Sequence, residues 1–158
     1  MYIDSLEFLD EEREVWLPFE GLDTLTDEQL EVEQAGAHGW SGRDLMGHLV
    51  AWQEIALAVA RELAVNETSV TKRWSDDEWA RRGDEMNDTM VAEWRQLPVA
   101  EVRERFRSVA GELRGHLTVV PESRWLKHHG HLKFFLAETT DHYEAHRADL
   151  DAILAGAR

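Results

Sequence analysis

The chain has 158 residues, 43% of them apolar, which suits a single folded domain over 1–158 with a real core and argues against disorder. A formal net charge of −15 repels phosphate backbones and anionic bilayers, which argues against nucleic acid and membrane surfaces as partners. With no cysteine there can be no disulfide, no thiolate metal ligand and no cysteine nucleophile.

The segment Met1–Ser5 carries an acidic residue rather than a basic cluster ahead of an apolar run. No stretch approaches 18 apolar residues, so a soluble cytoplasmic protein is expected. Gly and Pro are sparse and fall between periodic segments, and β-branched alternation is absent, so the whole pattern reads as helical. The first helix is predicted from about Ser5 to Phe19. Leu6, Leu9, Arg13, Trp16 and Leu17 mark its inner edge, and Leu17-Pro18 through Gly21 closes it. Thr26-Asp27-Glu28-Gln29 reads as the start of a short helical turn. Gly36 to Trp40 reads as a loop.

The second helix is predicted to start at Ser41, whose hydroxyl caps the free amides while Asp44 adds favourable charge to the first turn. Leu45, His48, Leu49, Trp52, Ile55, Ala56, Val59 and Leu63 recur at three and four, which puts His48 on the buried stripe. Asn66 to Trp74 reads as a polar connection. Ser75-Asp76-Asp77-Glu78 has the form of a capping box and predicts a third helix running toward Trp94, broken by Leu97-Pro98. Val102, Phe106, Val109, Leu113 and Leu117 stripe the next helix. Thr118 to Gly130 reads as a long connection. The last helix is predicted over about His131 to Leu154, with Leu132, Phe135, Thr139, His142, His146, Leu150 or Asp149, and Ile153 on its stripe. Long amphipathic helices with intervening connections predict an all-α, up-down four-helix bundle, a fold that builds metal sites from side chains facing its core.

His142 and His146 are four apart, so a helix projects both imidazoles from one face, one turn apart. Ring nitrogens so spaced can reach one ion at about 2.0–2.1 Å each. His48, on an inward position of another helix, supplies a third ligand. Three histidines leave a coordination position open, which suits chemistry rather than a structural staple. Glu144 lies between the pair in sequence but projects to the far side of the helix, so no HExxH arrangement exists. His128, His129 and His131 form a rival cluster, read as a solvated polar connection. His38 and His116 carry no supporting pattern. Trp16, Trp52 and Trp94 read as core. Trp40, Trp74 and Trp125 fall near helix ends, where they edge the core or line a pocket mouth. Asp44, Glu54, Asp141 and Tyr143 are the nearest candidates to hold the imidazole tautomers. The spacing leaves three readings open: a metal centre, polar groups of an apolar binding pocket, and histidines that only satisfy one another.

Two segments carry a family resemblance. Trp40-Ser41-Gly42-Arg43-Asp44-Leu45-Met46-Gly47-His48-Leu49-Val50-Ala51-Trp52 resembles the W-S-x-x-D-x-x-x-H-L-x-x-W segment of the DinB-like superfamily, in which the ClbS/DfsB-type proteins are most similar. Thr139-Thr140-Asp141-His142-Tyr143-Glu144-Ala145-His146 resembles the T-x-x-H-Y-x-x-H segment of the same group. Asn87 and Leu97-Pro98-Val99-Ala100-Glu101-Val102 are similar to its linker and third helix. The resemblance implies an up-down four-helix bundle of the DinB/YfiT-like kind, frequently a homodimer. It implies a divalent metal, commonly zinc or nickel, held by the motif histidines, which by position are His48, His142 and His146. It implies a small-molecule substrate and either hydrolysis or transfer to a low-molecular-weight thiol, which this cysteine-free chain would have to take from outside. Members of the ClbS/DfsB branch protect against a toxic metabolite, and not all need a metal.

Overall fold

A computed structural model describes all 158 residues, and the fold is a helical bundle without strands. Helix α1 (Ser5–Trp16) is capped by Asp4, whose side chain accepts from the Glu7 amide at 3.0 Å. It ends three residues before the expected Phe19. There Pro18 cannot supply an amide to the ladder, and the chain tightens into a 3-10 stretch, Leu17–Thr24. Thr26 and Gln29 form a reciprocal capping box for the four-residue α2 (Asp27–Leu30).

Helix α3 (Gly42–Val65) is the axis of the molecule. Ser41 and Asp44 cap its start reciprocally, at 3.3 and 3.1 Å. Its buried residues go round the cylinder, from Leu45 and Met46 through His48, Leu49 and Val50 to Leu57 and Val59, which marks a central helix. One continuous core joins it to α1, to α6 (Val99–Leu117) and to the last helical tract. Those four columns are the bundle.

The predicted third helix is not a bundle column. It divides at Gly83, whose φ of +55° turns the chain, into α4 (Val70–Arg82) and α5 (Asp84–Arg95). Ser69, not Ser75, caps α4, by accepting from the Lys72 amide at 3.0 Å. Ser75 is inside the helix and buried. The expected connection Asn66–Trp74 is therefore half helical. Of α4 and α5, only Ser75, Met86 and Val91 are buried, so this pair covers α3 from outside.

The last tract departs from a single helix at two places. After α7 (His129–Glu138), the Thr139 hydroxyl bonds back to the Phe135 carbonyl at 2.6 Å and the backbone leaves helical values, φ −125° and ψ −103°. A six-residue α8 (Thr140–Ala145) follows. His146, at φ −103° and ψ 7°, joins it to α9 (Arg147–Gly156). His128 caps α7 by accepting from the His131 amide at 3.2 Å; His131 is buried, while His128 and His129 are exposed, as expected of a solvated connection. Trp125 is fully buried against Phe8 and Phe135, at the centre of the core rather than its edge. No helix is long and apolar enough to cross a membrane.

Candidate metal centre

Helix α3 carries His48 inward, and the last tract brings His142 from α8 and His146 from the α8–α9 junction. The three imidazoles meet edge to edge. His48 Nε2 stands 2.9 Å from His142 Nε2 and 3.0 Å from His146 Nε2. One ligand atom from each ring lies within 4.8 Å of the other two. Trp40 closes one side, its ring centroid 4.8 Å from that of His48 and 5.7 Å from that of His146, nearly parallel to the latter.

Burial and mutual repulsion keep the His48 and His142 rings uncharged. Desolvation first, then the neighbouring imidazoles, push His48 down to about 2 and His142 down to about 3. His146 Nδ1 faces Asp149 Oδ2 at 2.8 Å. A carboxylate only accepts, so that nitrogen carries the proton and Nε2 carries the lone pair. His48 Nδ1 and His142 Nδ1 are buried with no partner. Three imidazole nitrogens facing one another cannot all be satisfied by hydrogen bonds among themselves, since one N–H serves one lone pair. A shared cation satisfies them together. Tetrahedral ligands at 2.0–2.1 Å from one ion lie about 3.3 Å apart, so a few tenths of an ångström of opening would admit it. The residues present therefore fit a divalent metal of the borderline-soft class that imidazole prefers.

The cluster forms the floor of a cleft of about 1130 Å³ between α3, the α4–α5 cover and α7. Trp40, Trp52, Trp79 and Phe134 supply its apolar walls. Trp52 is oriented by its indole N–H, which donates to Asn87 Oδ1 at 2.8 Å, and Trp79 meets it edge-on with centroids 5.9 Å apart. Lys72 and Asp76 pair at 2.7 Å on the rim. Glu138, also lining the cleft, makes no hydrogen bond or ion pair. Burial first, then Asp76, raise its carboxyl to about 8.

Of the residues singled out in sequence, the structure brings together His48, His142, His146 and Trp40. It does not bring the four candidates for holding tautomers to the rings. Asp44 is a helix cap paired with Arg95 at 2.8 Å, and Glu54 pairs with Arg105 at 2.8 Å. Asp141 is exposed, and Tyr143 turns away into the core. The group that does the work is Asp149, three residues beyond His146, a spacing that shares a helix face and was available as a signal. Trp79 and His38 also belong to the cleft without having been picked out. Trp74 is half exposed and lies outside it.

Compared with known protein families, residues 9–150 match the DinB superfamily. The chain belongs to the DinB superfamily. No curated protein and no solved structure matches it. In this DinB-superfamily chain, the two segments that carried the resemblance, 40–52 and 139–146, are the two that converge on the imidazole cluster. Both segments lie within the matched span.

Proposed function

We propose that this protein is a metal-dependent enzyme acting on a small molecule, a hydrolase or a transferase to a low-molecular-weight thiol, with His48, His142 and His146 as the metal ligands. The observation that carries the reading is the meeting of three imidazoles, with His48 Nε2 standing 2.9 Å and 3.0 Å from the Nε2 atoms of His142 and His146 and with His146 pre-set by Asp149. A divalent ion held there keeps its full charge, because neutral imidazoles bring none, and so supplies Lewis acidity that draws the ionisation of a water or thiol toward neutral pH. The chain's own residues do the rest. Asp149 fixes the His146 tautomer, Trp40 excludes water from one side of the rings, and the Trp52–Trp79 wall offers a flat apolar surface to the substrate. The protein has no cysteine, so a thiol nucleophile has to enter through the cleft.

Zinc and nickel are the ions proposed. Elemental analysis of protein purified without chelator, or after zinc addition, tests this: about one equivalent per chain is expected, and none in His48→Ala. Wild type that neither retains nor takes up zinc or nickel overturns it.

One observation favours a second reading, a toxin- or metabolite-binding protein of the ClbS/DfsB type. The cleft, at about 1130 Å³, exceeds the usual range for a drug-sized ligand and is walled by aromatic rings. Thermal-shift screening separates the two. Metal ions raise the melting temperature under the first reading, and apolar ligands but not metals raise it under the second.

A further inference from the structure

Asp149 lies between two imidazoles. Its Oδ2 is 2.8 Å from His146 Nδ1, and its Oδ1 is 3.0 Å from His38 Nδ1. The carboxylate is 4% exposed, whereas the His38 ring is 81% exposed on the wall of the cleft. The His146 contact is a hydrogen bond, which puts that ring's proton on Nδ1 and its lone pair on Nε2. The His38 contact is of ion-pair distance without hydrogen-bond alignment, and the carboxylate charge beside Nδ1 favours the His38 proton there, with the lone pair on Nε2. His146 turns its lone pair into the imidazole cluster. The His38 ring instead lies open on the cleft wall.

The backbone supports this placement. His38 is the one residue other than glycine with positive φ, +58°, a left-handed conformation uncommon for a residue with a Cβ and frequent at functional sites. The turn is held closed by Gly39 N–H to Gln34 O at 2.9 Å and Trp40 N–H to Ala37 O at 2.9 Å. Two residues on, Trp40 packs on His146 and His48. The loop is therefore closed on itself and anchored to the cluster through Trp40.

We propose that His38 is the proton acceptor of this site, the free imidazole of an Asp149–His38 pair whose carboxylate also orients His146. The proposal rests on the metal-centre reading above. His48, His142 and His146 cannot serve, because their Nε2 lone pairs face one another and would be committed to the ion. In the step, a water or thiol gives its proton to His38 Nε2 as the oxygen or sulfur lone pair forms a bond to an electrophilic carbon. The bond from that carbon to the leaving group breaks with its electron pair on the leaving atom, and the imidazolium returns the proton there. Water or thiol plus substrate become two products, with no other reactant.

The rival role for His38 is a staple that pins the loop to α9. His38→Gln separates the two, since a carboxamide N–H can still donate to Asp149 but cannot shuttle a proton. Three readouts apply: ring nitrogen NMR of the metal-free protein, zinc affinity by chelator competition, and hydrolysis of 4-nitrophenyl acetate by zinc-loaded protein. The expected results are a His38 proton on Nδ1 and zinc affinity of His38→Gln within about threefold of wild type. Its ester hydrolysis should fall on the order of 10- to 100-fold, with partial rescue by added imidazole. A His38 proton on Nε2 overturns the proposal. So does a His38→Gln rate within twofold of wild type, or a wild-type rate no faster than buffer. Wild type that binds no zinc fails the metal-centre reading instead, and the His38 tautomer then still decides the Asp149–His38 pair.

Discussion

Tyr143 donates its hydroxyl proton to Glu12 Oε1 at 3.1 Å, from the last helical tract to α1 inside the core. Glu12 is 1% exposed and is also held by the Arg114 guanidinium, while Gln53 Nε2 donates to the Tyr143 oxygen at 3.0 Å. One buried polar network thus ties all four bundle columns, and it does so through the residue next to His142. Removing the phenol oxygen leaves a buried carboxylate short of one donor and Gln53 without an acceptor. Tyr143→Phe is expected to destabilise the protein by about 1–3 kcal/mol, read as a lower urea midpoint at unchanged slope. The double variant Tyr143→Phe with Gln53→Leu, which removes both ends of one bond, should cost less than the sum of its single variants. Full additivity would mean that the phenol is not coupled to the network.

Stability should fall on the acid side in the metal-free protein. In the unfolded chain His48 and His142 take up protons as pH drops below about 6.5. In the folded chain they stay neutral down to about 2 and about 3. The unfolded state therefore binds more protons throughout that window, and stability is lost as pH falls through it, at on the order of 1 kcal/mol per pH unit per histidine. Glu138 works the opposite way. Its folded carboxyl holds a proton up to about 8 while the unfolded one releases it near 4.5, so its contribution is lost as pH rises between those values. Glu138→Gln is thus expected to steepen the acid-side fall and flatten the decline toward pH 8. Urea titrations between pH 4.5 and 8.5 check both, and a flat profile below pH 6.5 in wild type would contradict the buried-neutral histidines.

Periodicity located the three metal-ligand candidates because the signal for an inward-facing residue is local: a stripe at three and four says which face is buried, and His48, His142 and His146 all lay on one. The Ser41 cap was legible for the same reason. The bundle columns were legible where the stripe was strong, in α1, α3 and α6. The Ser75–Trp94 segment was misjudged because its capping box was only a string of the right residue types. Gly83 needs positive φ, and a lone glycine in a helical pattern does not announce that. The breaks at Thr139 and His146 were invisible because the stripe continues through them. Asp149 and His38 meet only after the Gly36–Trp40 loop folds back on α9, a contact between residues more than a hundred apart. No local pattern encodes it.

Gly47 sits where α3 and α5 nearly touch. A Cβ there would stand 2.8 Å from the Trp94 Cβ, a distance real side chains do not adopt. The obstructing atom belongs to the stem of a side chain fixed to the helix, so relief requires α5 itself to shift. Gly47→Ala would gain helix propensity at an interior position, about 1 kcal/mol, but should lose more than that to the clash. A net loss of about 1–3 kcal/mol is expected. Because α5 carries Asn87, the partner of Trp52, the variant should also change Trp52 fluorescence. A variant as stable as wild type would show that the α3–α5 contact is looser than described.

Asp149 should matter more for metal affinity than for folding. It holds the His146 proton on Nδ1, which keeps Nε2 available as a lone pair. Carboxylate partners of ligand histidines are typically worth 10- to 100-fold in affinity. Asp149→Asn retains the size, but its amide can present an N–H where the ring also presents one. The expected result is zinc binding weakened by about 10- to 100-fold in chelator competition. Through mass action the same loss appears as a smaller zinc-induced rise in melting temperature, since ligand at 100 times its Kd stabilises by about 2.7 kcal/mol and at its Kd by about 0.4 kcal/mol. His48→Ala, which removes a ligand outright, should show no zinc-induced rise at concentrations that saturate wild type. An Asp149→Asn protein that binds zinc as tightly as wild type would show that His146 needs no partner to present its lone pair.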